Sequence, residues 1–453
     1  MVRSPIGLAL LCGCALQISG CSTISDGEIE PGSVKMTTQL QAAAGLVRSP
    51  GWHQWRGPRR DGVVDGLTLP KTLPTAPWPE AWRVEVGMGF SGVIAADGLV
   101  FCHARAGDRE IVSAHDAVTG GIVWSHANTI VPWSQSMFAM GISDGPLTTP
   151  TYVGGRLFTV GIHGLLQCLD ASDGTLIFSV SPEDLDGEPS EYRYGHASSP
   201  LVWHDTVYVP VASGNSGSLL AIDAATGELR WRVLAETVSY ASPVAAKIDG
   251  VEQVVVRSWG RVVGLDPPSG RLLWSFEAEA GGMRRDCATP LVVDNVVYLT
   301  NEFHGTHAIQ VVQENGTWRA KKLYRTGALG GTMASPLYYD GHLYGLHKRG
   351  RFVCVDAATG KRVWGVRAFH EYVSMIAFDG RALVLDDEGR LVFLQLNPQE
   401  HRVVAEWSVG EYTWAHLGVD ESHLYFRDGD DLVALKLEAG PSSDLSGSVS
   451  PSS

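Results

Sequence analysis

Charge is scarce in this chain, and positive charge is scarcest. Only 19% of its 453 residues are charged, with 35 Lys and Arg against 49 Asp and Glu, for a formal net charge of −14. An acidic protein of this kind repels phosphate backbones, which argues against nucleic acid as a partner. There are seven cysteines, yet no CxxC, no CxxCH and no adjacent Cys-Cys pair. Zinc ribbons, thioredoxin chemistry and c-type haem therefore have no ligand set. Cys102, Cys168, Cys287 and Cys354 are scattered singly and read as small buried apolar residues, with a disulfide among them left open for an oxidising compartment. No GxSxG is present, and "HEYVS" at 370 lacks the second His of a zincin. "DGDD" (428–431) and "DDEG" (386–389) lack calcium-loop spacing and read as hairpin tips. "GMGFSG" (87–92) runs into a strand, so no helix dipole would meet a pyrophosphate there.

A membrane-spanning apolar run is also missing at the N-terminus. The stretch from Ile6 to Ile18 follows a single positive charge, Arg3. It would make about 20 Å of helix, short of a hydrocarbon core of about 30 Å. Residues 1–20 thus read as an export signal. Their end, "ISGC", resembles the bacterial lipobox, which implies that Cys21 is lipidated and anchors the chain. Ser22 after it, by resemblance to proteobacterial lipoproteins, favours the outer membrane. Residues 21–77 read as a tether and N-terminal extension, and 438–453 as an unstructured tail.

What the chain has in abundance is glycine, 52 residues, and tryptophan, 14. They fall in a repeat. "DAATGKRVW" at 356 nearly copies "DAATGELRW" at 223, with looser versions "DAVTGGIVW" at 116, "DASDGTLIF" at 170 and "DPPSGRLLW" at 266. Around one copy the runs "SSPLVW", "DTVYVPV", "SLLAIDAATG" and "ELRWRV" each alternate or are β-branched, and turn residues break them. Each copy is a four-stranded antiparallel meander in which Asp ends the third strand and Gly supplies a positive φ in the turn. One meander exposes two faces and two edges, so the copies must stack radially. The outer-strand aromatics Trp82, Trp124, Phe178, Trp231, Trp274, Trp364 and Trp407 then fill the gaps between neighbouring sheets. In the fifth copy the aromatic is Tyr324. The last copy, "AHLGVDESHLYFRDGDDLVALKL", stops after three strands, and "EAWRVEV", carrying Trp82, supplies the fourth. The expected fold is all-β: an eight-bladed propeller over residues 78–437, closed by pairing of its N- and C-terminal strands.

The D-x-x-T-G-x-x-x-W pattern resembles the pyrroloquinoline quinone (PQQ) repeat. With a lipobox and a ring of this size, the chain is similar to the BamB family of outer-membrane assembly lipoproteins. That resemblance implies a non-catalytic scaffold in the envelope, facing the periplasm, with a protein partner such as the barrel-assembly machinery. The stretch "WHQWRGPRRDG" (52–62) departs from the simplest BamB pattern, and its Trp52 and Trp55 are expected to pack against the ring.

The same repeat also builds quinoprotein dehydrogenases. The resemblance implies that those hold PQQ over the central axis with calcium, an Asp base and adjacent cysteines. No cofactor is expected here; PQQ with calcium is the alternative, as is a small ligand or glycan in the funnel. For binding, the long loops that lead into the first strands bring aromatics and arginine to one rim. Trp133, Phe138, Tyr192, Tyr194, Arg284, Arg285 and Trp414 either form a protein-binding rim or pack into the funnel. A partner could also add a strand to a blade edge.

Overall fold

The computed structural model describes residues 51–438, apart from 68, 70–72, 131–144, 183–184, 186–194, 214–215, 235–238, 279–286 and 332. The strands form eight four-stranded antiparallel sheets. Seven are consecutive: blade 1 spans 94–129, blade 2 151–180, blade 3 201–233, blade 4 244–277, blade 5 291–326, blade 6 337–367 and blade 7 373–408. Blade 8 combines Gly418–Val419, His423–Asp428 and Asp431–Lys436 with the N-terminal strand Glu80–Glu85. Trp82 lies opposite Ala434 and Val84 opposite Leu432, so the two chain ends share a sheet and no blade edge is left open at the seam. First strands of neighbouring blades touch one another, which places them around the axis. The D-x-x-T-G turns and the turns between strands one and two share one face, here the turn face. The turns between strands two and three and the inter-blade loops share the other, the loop face.

The repeat's residues have distinct jobs. Asp116 Oδ1 accepts from the amides of Val118 (3.1 Å) and Thr119 (2.8 Å) and from Thr119 Oγ1 (2.8 Å). Asp356 holds Thr359 in the same way. Such bonds hold the turn's backbone and pull the carboxyl groups of Asp116 and Asp356 below the usual range. Gly120 (φ 71°) is needed twice over: its conformation suits glycine, and a Cβ there would sit 2.6 Å from the Trp82 ring. Trp82 Nε1 donates to Ala117 O at 3.1 Å. The indole of one blade therefore covers the glycine turn of the next and bonds to its main chain. Trp124 over Gly174, Trp231 over Gly270 and Tyr324 over Gly360 repeat the contact, each with a hydrogen bond to the turn, and Phe178 over Gly227 does so by its ring alone.

Two seams differ. In blade 5 the third strand, Gly305–Glu314, is lengthened and turns at Asn315–Gly316, so no D-x-x-T-G turn awaits Trp274. Its Nε1 bonds Gln253 of its own blade instead (2.6 Å), and the ring is buried with Val297, Leu299 and Val311. In blade 7 the position matching Trp364 is Ala405, and Trp407 stands two residues farther along. The missing indole comes from Trp78, outside the repeat. It packs against Trp407 at 5.1 Å between centroids, the rings tilted by 53°, and donates to Glu438 O at 3.0 Å.

Nearer the axis, hydroxyl groups stitch the blades. The amide of Thr149 donates to Ser199 Oγ (2.9 Å), Ser199 to Ser242 Oγ (3.0 Å) and Thr289 to Ser335 Oγ (2.9 Å). Each of these residues precedes a proline, which lacks an N–H, so the linking amide is the one just before it.

Candidate functional site

The axis is occupied by the chain's own residues 51–64. Trp52 O accepts from Ala95 N (3.1 Å) in blade 1 and His53 O from Tyr152 N (2.8 Å) in blade 2. Arg60 donates to Ser199 O (3.2 Å) and Pro200 O of blade 3 and to Pro243 O (2.9 Å) of blade 4. Trp55 Nε1 donates to Thr289 Oγ1 (2.9 Å) at blade 5. Arg56 donates to Ser335 O (2.8 Å) and Pro336 O (2.7 Å) at blade 6. Gly62 O and Val64 N bond the two main-chain groups of Ala377 in blade 7, at 2.8 and 2.9 Å. The rings of Trp52 and Trp55 lie 6.3 and 4.8 Å from that of His416, which leads into blade 8. The segment thus touches every blade.

Its shape is a loop pushed in from the turn face. Both legs, 52–53 and 62–64, pair near the turn-face ends of first strands, while Arg56 and Arg60 reach the strands' beginnings. The bend is closed by Gly57 N to Gln54 O, Arg60 N to Gly57 O and Gly62 N to Arg56 O, each 3.0 Å. Arg56 (φ 57°) and Arg60 (φ 58°) are themselves in the left-handed region, a strained conformation for bulky residues that persists only when the surroundings impose it. Both side chains are 2% exposed. Burial lowers their pKa values, to about 10 for Arg56 and about 9 for Arg60. Main-chain carbonyl oxygens, not carboxylates, surround both guanidinium groups; the nearby Asp61 turns its own carboxylate to Arg59 (3.0 Å) and to Val63 N (2.8 Å).

On the loop face, Trp133, Phe138, Tyr192, Tyr194, Arg284 and Arg285 lie outside the described residues, as does Cys21. Trp414 is half-buried against Phe90 (5.6 Å) and Tyr412 (6.4 Å). The same face presents Trp259 and Phe303, 39% and 46% exposed, at the tips between strands two and three of blades 4 and 5, with Lys348 over the Phe303 ring at 5.7 Å. Sequence reasoning missed both; the signal was a single aromatic beside glycine in a hairpin tip, "SWGR" and "EFHG". The acidic tips are brackets for the neighbouring loops. Asp387 accepts from Glu371 N, Tyr372 N (3.1 Å each) and His370 Nδ1 (2.8 Å), and Asp428 from Arg83 (2.9 Å) and Glu411 N (2.7 Å).

A PQQ group in the axis would collide with residues 51–64, whose arginines already use the carbonyl oxygens there, so the residues present do not fit that group in the axis. Among the described residues no three His, Cys, Asp or Glu side chains gather as metal ligands. Cys102, Cys168 and Cys354 are buried, Cys287 is partly so, and none of the four forms a disulfide.

A family model described as "Outer membrane protein assembly factor BamB" matches residues 108–365 and 324–404, more than half the chain. The BamB of Moranella endobia is 23% identical over 251 residues, covering 54% of this chain and 63% of that protein's length. A quinohemoprotein alcohol dehydrogenase of Pseudomonas putida is 30% identical over 156 residues, 31% of this chain and 19% of the enzyme. The chain therefore spans less than two thirds of either relative. The crystal structure of BamB from Moraxella catarrhalis superposes with a TM-score of 0.58 at 18% identity, over 80% of this chain and 98% of that one, and shows the shared fold. By its repeats, its closed ring and these matches, the chain belongs to the PQQ-repeat β-propeller family of the outer membrane protein assembly factor BamB.

Proposed function

We propose that this protein is a non-catalytic scaffold of the cell envelope that binds another protein through its loop face. Lipidation at Cys21 holds it to the outer membrane, facing the periplasm, and its partner belongs to the machinery that assembles outer-membrane barrels. The observation that carries the reading is the filled axis: the ring's centre is spent on the chain's own extension, which leaves the loop face and the rim for recognition. The family match supports the choice of partner. Exposed Trp259, Phe303 and Tyr412 supply the aromatic anchors that binding surfaces use. Crosslinking of the anchored form in its native envelope, followed by identification of the captured proteins, tests it. Replacing Tyr194, Arg284 and Arg285 together, or Trp259, Phe303 and Tyr412 together, abolishes capture while the melting temperature stays put. Unchanged capture in both variants rejects the loop face. Added PQQ and calcium that raised thermal stability and supported dye reduction would establish the dehydrogenase reading instead.

One feature favours a second reading, a small-ligand binder. A cleft of about 380 Å³ lies on the turn face beside the axial loop, walled by Leu201, Trp203, Val244 and Leu291. Trp203 Nε1 there is buried with no acceptor among the described residues. Ligand-induced stabilisation that Trp203→Phe removes would support it.

A further inference from the structure

The axial loop is held as a ligand is held. Arg56 spreads its donors over Ser335 O, Pro336 O and Asp61 O, and Arg60 over Ser199 O, Pro200 O, Pro243 O and Gln54 Oε1. Most of these acceptors are main-chain oxygens at the beginnings of first strands, positioned by the blades and not by the loop. A guanidinium presents several donors in a rigid plane, and only such a group spans two or three fixed carbonyls at once; an ammonium satisfies them as a point. The loop's strained backbone at both arginines points the same way, because the bound geometry is imposed by its surroundings. Beyond the loop, Thr75, Ala76 and Pro77 are exposed before Trp78 docks on the ring's rim, so the link to blade 8 crosses the surface.

We infer that the ring axis is a binding site for an arginine-bearing loop peptide of the type R-G-P-x-R. The chain fills this site with its own residues 51–64, and the same segment supplied as a separate molecule binds there. Its two guanidinium cages are the specificity elements, and the flanking Trp52 and Trp55 supply apolar contact. The site is distinct from the loop face and stands whether or not that face binds a partner.

The test keeps the folded chain. A specific protease site is inserted between Thr75 and Ala76, and the folded protein is cut. The N-terminal fragment then stays with the ring in gel filtration without denaturant. A fluorescent synthetic peptide of residues 51–66 exchanges into the cut ring, and a peptide with Arg56→Lys and Arg60→Lys competes more weakly by more than about tenfold, the consequence of losing charge-assisted bonds to several acceptors. Three results overturn the inference: release of the fragment from an intact ring that admits no peptide, equal competition by the lysine peptide, or collapse of the ring on cutting.

Discussion

Trp82 and Ala434 stand opposite each other in one sheet although 352 places separate their numbers, and the Trp82 ring covers Gly120 of the next blade. A single side chain thus serves both the closure of the ring and the first inter-blade seam. Trp82→Ala should lower stability by about 3–5 kcal/mol, the range for truncating a buried aromatic. Gly120→Ala acts on the same contact from below, through a Cβ that meets the indole and an unfavourable φ. Chemical denaturation of the two single variants and the double variant checks this; their effects should fall short of additive, since both disturb one contact.

Arg60→Met should be strongly destabilising. It takes the guanidinium away from the carbonyl oxygens of Ser199 and Pro243, at about 1–3 kcal/mol for each group left unsatisfied, less whatever water enters, whereas Pro200 O keeps the Thr151 hydroxyl at 2.7 Å. Arg59→Met should change little, because Arg59 itself is exposed and its ion pairs with Asp61 and Asp65 are open to water. Thermal melts of the two variants side by side measure the difference.

Acid should unfold the ring through buried histidines. Burial holds His196 and His416 neutral, with pKa values lowered to about 3 from 6.5. The unfolded chain takes up protons near pH 6.5 where the folded one does not, so stability falls as pH drops from 6.5 towards 3. Each such group contributes a slope of about 1.4 kcal/mol per pH unit in that window. His416→Asn should flatten the acid limb of a stability-against-pH curve relative to the parent, whatever it does to stability at pH 8.

Glu110 works in the opposite sense. It is 4% exposed, its Oε1 accepts from Ile162 N at 2.8 Å, and burial raises its pKa to about 7 from 4.5. The folded state therefore holds a proton that the unfolded state has lost, and stability is lost as pH rises from 4.5 to 7. Glu110→Gln keeps the acceptor and removes the titration. The variant should gain on the order of 2–3 kcal/mol over the parent at pH 8 compared with pH 4.5, a difference that urea titrations at the two pH values would show.

Much of the ring could be read from the residues in order. Asp, Thr and Gly at fixed offsets describe a turn, and the Trp that follows is the lid for the next blade's turn, so the nine residues Asp116 to Trp124 carry both halves of a joint that neighbouring copies complete. The shared eighth blade was legible because the last copy lacks a strand and "EAWRVEV" offers one. The exceptions were legible only in part. Tyr324 could be seen to replace an indole, whereas Trp274 turns to Gln253 and Trp78 takes the place expected of Trp407, choices set by a longer strand and by a residue outside any repeat. The axial loop was seen only as a Trp- and Arg-rich stretch that packs on the ring.

What the sequence determined by itself is the blade: local turns, alternating strands and a ring that must close because open edges and bare sheet faces are unstable in water. What only the tertiary structure decided is the centre. Arg60 meets acceptors on residues 139 to 183 places away, and those acceptors are main-chain oxygens, which every residue type carries. No pattern of side chains can announce such a partner, so the filling of the axis emerges only once eight blades have brought their first strands together.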